Sequence, residues 1–258
     1  IVSPLVPTQF ACFIPLNAYR ELLSTNRRLL GFGFVTALYS SFGQTYFIGI
    51  IGPHIQLEFE LSHTLWGMVY MIGTIGSAAL LPWTGGLIDR FELRRYTLAA
   101  CLLLVFACAY IAITTGPVTL VLAIFLLRHA GQGLISHISI TSMVRYFDRE
   151  RGRAIAFASL GFTAGEAILP VIAVFTLALI GWRWTYGAAA VLIGLTVIPT
   201  VIWLLKHHDT VHSRSSKLSR TVTQTSQLAV RSWTRREVIR DYFFYLLMPG
   251  LLAVSMIS

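Results

Sequence analysis

Six stretches of the chain, at about 29–51, 64–87, 96–115, 118–144, 154–180 and 184–205, each run for 20 residues or more with almost no charged side chain. A helix rises about 1.5 Å per residue, so each is long enough to cross a hydrocarbon layer about 30 Å thick. In lipid every backbone N–H and C=O must be satisfied within the protein, and for single segments of this length the α-helix does that. Composition agrees, with 12% of residues charged and 55% hydrophobic, against roughly 25% charged in soluble domains. The expected fold class is an all-α membrane protein. A seventh apolar run, 242–258, is 17 residues long when the sequence stops at Ser258, so it reads as a partial transmembrane helix.

The connections sort by charge. Arg20, Arg27 and Arg28 precede the first stretch; Arg90, Arg94 and Arg95 follow the second; Arg145, Arg149, Arg151 and Arg153 follow the fourth. Lys206, Arg214, Lys217, Arg220, Arg231, Arg235, Arg236 and Arg240 follow the sixth. These are 18 of the 20 basic residues, all on alternate connections. The other side carries Glu58 and Glu60, the short Thr115-Gly116-Pro117 turn, and Arg183. Basic residues mark the cytoplasmic side, which puts the N-terminus inside; the expected location is a bacterial inner (plasma) membrane. The net charge of +9 lies between apolar runs and on no continuous polar face. The lipid bilayer, and not a nucleic acid, is the partner this pattern implies.

The expected organisation follows. Residues 1–28 form an N-terminal cytoplasmic segment of unclear role, broken by Pro4, Pro7 and Pro15. Residues 29–205 form a six-helix transmembrane bundle, 206–241 a basic cytoplasmic linker, and 242–258 the truncated seventh helix. The linker is rich in Ser, Thr and basic residues, as flexible connections are; residues 227–240 also suit a basic amphipathic helix on an anionic membrane face. Cys12, Cys101 and Cys108 make no disulfide framework, and the latter two read as small buried hydrophobes.

Two loops carry a resemblance. After the second stretch stands Gly85-Gly86-Leu87-Ile88-Asp89-Arg90-Phe91-Glu92-Leu93-Arg94-Arg95. This resembles the loop 2–3 motif G-x-x-x-D-R-x-G-x-R-R of the major facilitator superfamily, with Gly85, Asp89, Arg90, Arg94 and Arg95 matching and Glu92 in place of a glycine. After the fourth stretch, Tyr146-Phe147-Asp148-Arg149-Glu150-Arg151-Gly152-Arg153 runs into Ala154, Ala158, Gly161 and Gly165. That run looks like the approach to helix five in the monocarboxylate-transporter and oxalate/formate-antiporter branch. The resemblance implies a transporter working by alternating access, of which this chain spans the first half and the start of helix seven. It assigns Gly85, Asp89, Arg90, Arg94, Arg95, Tyr146, Phe147, Arg149 and Arg153 to conformational gating. Independently, the four small residues fall on one helix face, where close packing in lipid needs them.

Arg128 and Glu166 are the charged side chains deep inside the spans, each roughly 15–20 Å from a helix end at 1.5 Å per residue. A charge at that depth costs about 2.5–3.5 kcal/mol unless it is paired or faces water. On the fourth stretch, Gln132, Ser136, Ser139 and Ser142 follow Arg128 along one helical stripe; on the fifth, Ser159 and Thr163 share a face with Glu166. Tyr39, Ser40, Ser41, Gln44 and Thr45 lie at mid-depth on the first. The expected substrate or coupling site is Arg128, Glu166, Gln132, Tyr39, Gln44, Ser41, Thr45 and Ser136. In it Arg128 holds a small organic anion, such as a monocarboxylate, and Glu166 couples or pairs, with protons as the coupling ion. The family's R-x-x-Q-G-x-G pattern is met only loosely by Arg128-His129-Ala130-Gly131-Gln132-Gly133.

Rival classes have less behind them. No His/Asp/Glu cluster has metal spacing, and neither a nucleophile elbow nor a phosphate loop is present, so neither enzyme nor cofactor is expected. A seven-span receptor would have its C-terminus on the side opposite to the usual one. A non-transporting sensor of the same fold is the alternative that uptake experiments separate.

Overall fold

The computed structural model describes residues 26–147 and 150–206, together with Glu237, Arg240, Asp241, Tyr242, Tyr245, Leu246 and Pro249. Expectations for the N-terminal segment up to residue 25, for Arg149, for the linker over 207–236 and for most of the seventh run lie outside these residues. The chain divides into two units, Ile1–Asp209 and Thr210–Ser258, and the first holds everything below.

Five helical stretches are long and apolar enough to cross a membrane: Arg27–Glu58, His63–Asp89, Leu93–Ala112, Pro117–Tyr146 and Arg151–Leu204. Three of them are interrupted, and the interruptions matter most. The first stretch was expected as one helix over 29–51. It is instead α1 (Arg27–Ser40), a 3₁₀ turn over Ser41–Gly43, extended backbone at Gln44 (φ −79°, ψ 157°), and α2 (Thr45–Glu58). Local chemistry accounts for the break. The Ser40 hydroxyl donates back to Ala37 O at 2.7 Å, the competition by which Ser bends helices, and Gly43 has no side chain to hold it in register.

α3 (His63–Thr84) starts on Ser62, whose Oγ accepts from Leu65 N–H at 3.2 Å, and ends in a 3₁₀ turn over Gly85–Asp89. α4 (Leu93–Ala112) follows. α5 (Pro117–Leu127) begins on a proline, whose missing N–H costs nothing in a first turn. The helix then widens to a π-helix over Arg128–Ile135 before α6 (Ser136–Tyr146). α7 (Arg151–Leu204) consists of two helices meeting at Gly181, whose φ of 74° and ψ of 170° lie where only glycine sits without strain.

The small-residue face packs as its spacing predicts. Ala154, Ala158, Gly161 and Gly165 are all buried, the last three against α1 and the turn after it. At Gly161 a Cβ would come within 2.3 Å of Phe34 O, so the two backbones touch. Close backbone approach supplies dispersion that lipid tails cannot. The outward faces are apolar, with Val171, Phe175, Leu179 and Trp184 exposed, which suits hydrocarbon surroundings.

At the end of the bundle opposite the Gly85–Asp89 turn, one arginine ties three elements together. Arg183, just past the Gly181 break, donates from Nε and Nη2 to Glu58 Oε1 at 3.0 and 2.7 Å. Its Nη1 donates to Ala112 O and Thr114 O at 2.9 and 2.8 Å, satisfying carbonyls at the end of α4 that have no helical partner. Trp182 Nε1 donates to Glu58 Oε2, and the guanidinium stacks 4.4 Å over the Trp182 ring. The side chains of Arg183 and Glu58 are 33% and 42% exposed, so water screens the ion pair, and the carbonyl contacts carry most of the effect. Arg183→Ala is expected to destabilise the protein by about 1–2 kcal/mol, and Arg183→Lys recovers little because an ammonium cannot span three acceptors in a fork. Thermal unfolding in detergent measures this; an unchanged midpoint for Arg183→Ala removes the clamp.

Candidate functional site

The break in the first stretch and the π-helix of the fourth face one another. Gly43 and Gly131 meet so closely that a Cβ on Gly131 would lie 2.6 Å from Gly43 Cα, and one on Gly43 would lie 2.2 Å from Leu127 O. Arg128, the first residue of the π-helix, reaches across this junction. It is 8% exposed. Its Nη1 donates to Thr45 Oγ1 at 2.9 Å, Tyr70 OH donates to the same oxygen at 3.2 Å, and the guanidinium lies 5.5 Å from the Tyr70 ring centroid. Among the described residues no carboxylate forms an ion pair with Arg128.

Thr45 is the first residue of α2, and Gln44 before it makes no side-chain cap. The first N–H groups of a helix lack intrahelical partners and carry the positive end of its dipole. α1 and α2 are 14 residues each, about 21 Å at 1.5 Å per residue. A positive helix end thus sits midway along the stretch, beside a buried guanidinium.

Next to it lies a pocket of about 160 Å³ lined by Ser41, Gln44, Tyr46, Phe162 and Glu166. Ser41 Oγ and Tyr46 OH are buried next to one another. Glu166 is exposed on its wall. Arg128 is not among the lining residues. No ion pair joins it to Glu166: Arg128 bonds to Thr45, and Glu166 lines the pocket with Gln44 and Tyr46.

The other expected site residues separate. Tyr39 OH pairs with Thr196 Oγ1 at 2.9 Å, on the second helix of α7 and away from the pocket. Ser136 donates to Gln132 O, while Gln132 Oε1 is buried without a partner. Ser139, expected on a stripe with Arg128, instead donates to Gly33 O at 2.7 Å, and Ser142 to Ser139 O at 2.9 Å. The stripe assumed a constant 100° step, and the π-helix, closing i→i+5 bonds, changes the phase. His129 is buried, stacked on Phe125 at 5.7 Å, with Nε2 3.2 Å from Thr84 Oγ1. Among the described residues no three His, Cys, Asp or Glu gather as metal ligands.

The gating motif has a partner that its spacing did not reveal. Arg145, at the end of α6, donates from Nη1 to Ile88 O at 3.2 Å and lies 3.8 Å from Asp89 Oδ1. Asp89 thus faces the fourth stretch; a basic residue ending that stretch on the same side was the available signal. Gly85 is αR, and a Cβ there would make ordinary contact with His137 at 3.5 Å, so close approach does not require it. Glu92 keeps a negative φ of −59° and pairs with Arg95 at 3.0 Å, so the position tolerates a side chain. Arg90 is exposed and Arg94 half-buried, Tyr146 is half-buried and Phe147 buried, and Arg153 pairs with Glu150 at 3.0 Å.

Long apolar helices, basic flanks and an interrupted helix pair around a polar pocket define an integral membrane protein of the transport class. The sequence profile of the Major Facilitator Superfamily matches residues 33–258, most of the chain, and the protein belongs to that family. No curated protein matches it at a significant level.

Proposed function

We propose that the protein carries a small organic anion, a monocarboxylate in the first instance, across the membrane by alternating access, with protons as the coupling ion. In this reading the Arg151–Leu204 stretch crosses twice, with its turn at Gly181, so that six spans form the bundle. One observation carries it: a guanidinium 8% exposed at mid-span, bonded to the first residue of a helix start and without a carboxylate partner among the described residues. A cation so placed costs several kcal/mol of solvation, and an incoming anion offsets that cost. Interrupted helices whose N-termini face the bilayer centre serve anionic groups in other transporter folds. Arg128, behind Thr45, acts by holding the helix start and adding its field. Asp89 and Arg145 fit a contact that holds one bundle arrangement.

Counterflow of labelled carboxylates into liposomes holding the full-length protein tests the reading. Exchange of at least one short carboxylate is expected. Folded protein that exchanges no organic anion favours a non-transporting sensor instead. Coupling has its own test. Glu166 and the anion face the same pocket, with Tyr46 the other titratable group on its wall, and two carboxylates there repel. Glu166→Gln, which removes that repulsion, is expected to change the pH dependence of uptake; an unaltered profile removes Glu166 from coupling.

A further inference from the structure

We infer that the corner where α1 begins and the second helix of α7 ends holds the phosphate of an anionic phospholipid, received by Arg28, Trp203 and Lys206. The inference needs the membrane-spanning fold but not the anion-transport reading.

Depth comes first. Trp184 and Trp203, near the two ends of the second helix of α7, are 73% and 60% exposed. They stand 19 positions apart, about 28 Å at 1.5 Å per residue, against a hydrocarbon core about 30 Å thick. Exposed tryptophans at that spacing suit the two membrane–water interfaces, which puts Trp203 at headgroup level. Leu192 and Leu195 are exposed on the same side of the helix, so the ring continues an apolar ridge fit for acyl chains.

The cations are fixed at that level. Leu29, Leu30, Leu204 and Leu205 are buried, and a Cβ on Gly31 would meet Leu204 Cδ2 at 3.8 Å. The start of α1 thus packs on the last turn of α7, and the Arg28 guanidinium lies 5.5 Å from the Trp203 ring centroid. Lys206 N–H donates to Trp203 O at 3.4 Å, which keeps Lys206 within a turn of the ring. Arg28 and Lys206 are both exposed. Among the described residues no carboxylate forms an ion pair with either, and α1 has no acidic residue in its first turn. Unneutralised cations held at headgroup level attract anionic lipid. The ring steadies the guanidinium plane, whose fork matches two phosphate oxygens, while the ammonium adds a point charge. Lipid is favoured over free phosphate because one molecule then covers both the cations and the ridge.

The test titrates phosphatidylglycerol into detergent micelles holding the full-length protein, with phosphatidylcholine and inorganic phosphate as separate arms. It reads the rise in unfolding midpoint and, independently, the lipid molecules retained in native mass spectrometry. Phosphatidylglycerol is expected to raise the midpoint and to be retained, and the other two are not. Arg28→Gln should raise the half-saturating phosphatidylglycerol about 10-fold, the effect of one hydrogen bond to a charged group. Lys206→Gln should raise it about fivefold, as for one basic residue near an anionic surface. Trp203→Leu changes no charge and Arg28→Lys keeps it, yet both should weaken the lipid severalfold, because the steadied fork is lost. If these two bind lipid like the wild type, the summed charge of the face acts and the site is overturned. Wild-type affinity in Arg28→Gln, or a wild type that retains no phosphatidylglycerol, overturns it outright. Equal effects of phosphatidylcholine overturn the need for an anionic headgroup, and equal effects of inorganic phosphate overturn the lipid as ligand. None of these outcomes involves transport, so each leaves the transport reading standing.

Discussion

Arg128→Ala abolishes carboxylate exchange while the protein still inserts and folds. Among the described residues its guanidinium makes one side-chain hydrogen bond, to Thr45, and it covers itself with the Tyr70 ring. Removing it deletes no ion pair among the described residues, so no buried carboxylate is orphaned. Folding loses one charge-assisted bond and regains the solvation that a mid-span cation forfeits, two effects of similar size. The anion loses more. Arg128 does not line the pocket, so the loss is that of a nearby buried cation's field, and each ~1.4 kcal/mol of it is a tenfold loss in affinity. Thr45 also loses the group that fixes it, so the helix start drifts. Counterflow at matched protein density measures the loss, with size-exclusion profiles as the folding control. Kinetics equal to wild type would make Arg128 part of the scaffold and remove the charge argument. Arg128→Lys separates field from geometry: it keeps the charge but not the fork, so partial exchange is the expected result.

Charge legibility explains which parts of this site could be read from sequence. Arg128 and Glu166 stand out because ionised groups are rare amid apolar runs, and that rarity is a solvation effect independent of fold detail. The small face of Ala154, Ala158, Gly161 and Gly165 was legible for a similar reason: in a regular helix, spacing fixes direction. The Ser139 and Ser142 positions were not, because a π-helix breaks the regularity that the angular argument needs. The start of α2 was hidden too. Ser-Ser-Phe-Gly-Gln reads as mid-depth polarity in a continuous helix; the back-bond of Ser40 and the packing of Gly43 on the fourth stretch together make it a break. Arg145 counted as one more basic flank until the fold brought it beside Asp89. The interrupted elements, where local rule and tertiary contact disagree, are where sites gather in many proteins.

That packing yields the second large expected effect. Gly131→Ala and Gly43→Ala should each destabilise the protein severely, since the Cβ meets backbone on the far side: Gly43 Cα at 2.6 Å in one case, Leu127 O at 2.2 Å in the other. A flexible side chain can turn away from such a clash, but backbone cannot, and overpacking of this kind costs about 1–3 kcal/mol or more. The contact joins the helix break to the π-helix, so separating them also pulls Arg128 from Thr45, and exchange should fall further than stability alone explains. Gly49→Ala is the control: nothing lies within 4 Å of its Cβ position, and alanine in a helix interior is favoured over glycine by about 1 kcal/mol. It should match or exceed the wild-type unfolding midpoint in detergent. If Gly131→Ala and Gly43→Ala behave like Gly49→Ala, the two stretches do not touch as described, and the helix start loses the support that puts it at mid-span. A carboxylate that binds only the native arrangement stabilises it by mass action, so if these variants unfold early and the carboxylate raises their midpoint less than that of the wild type, binding depends on the junction.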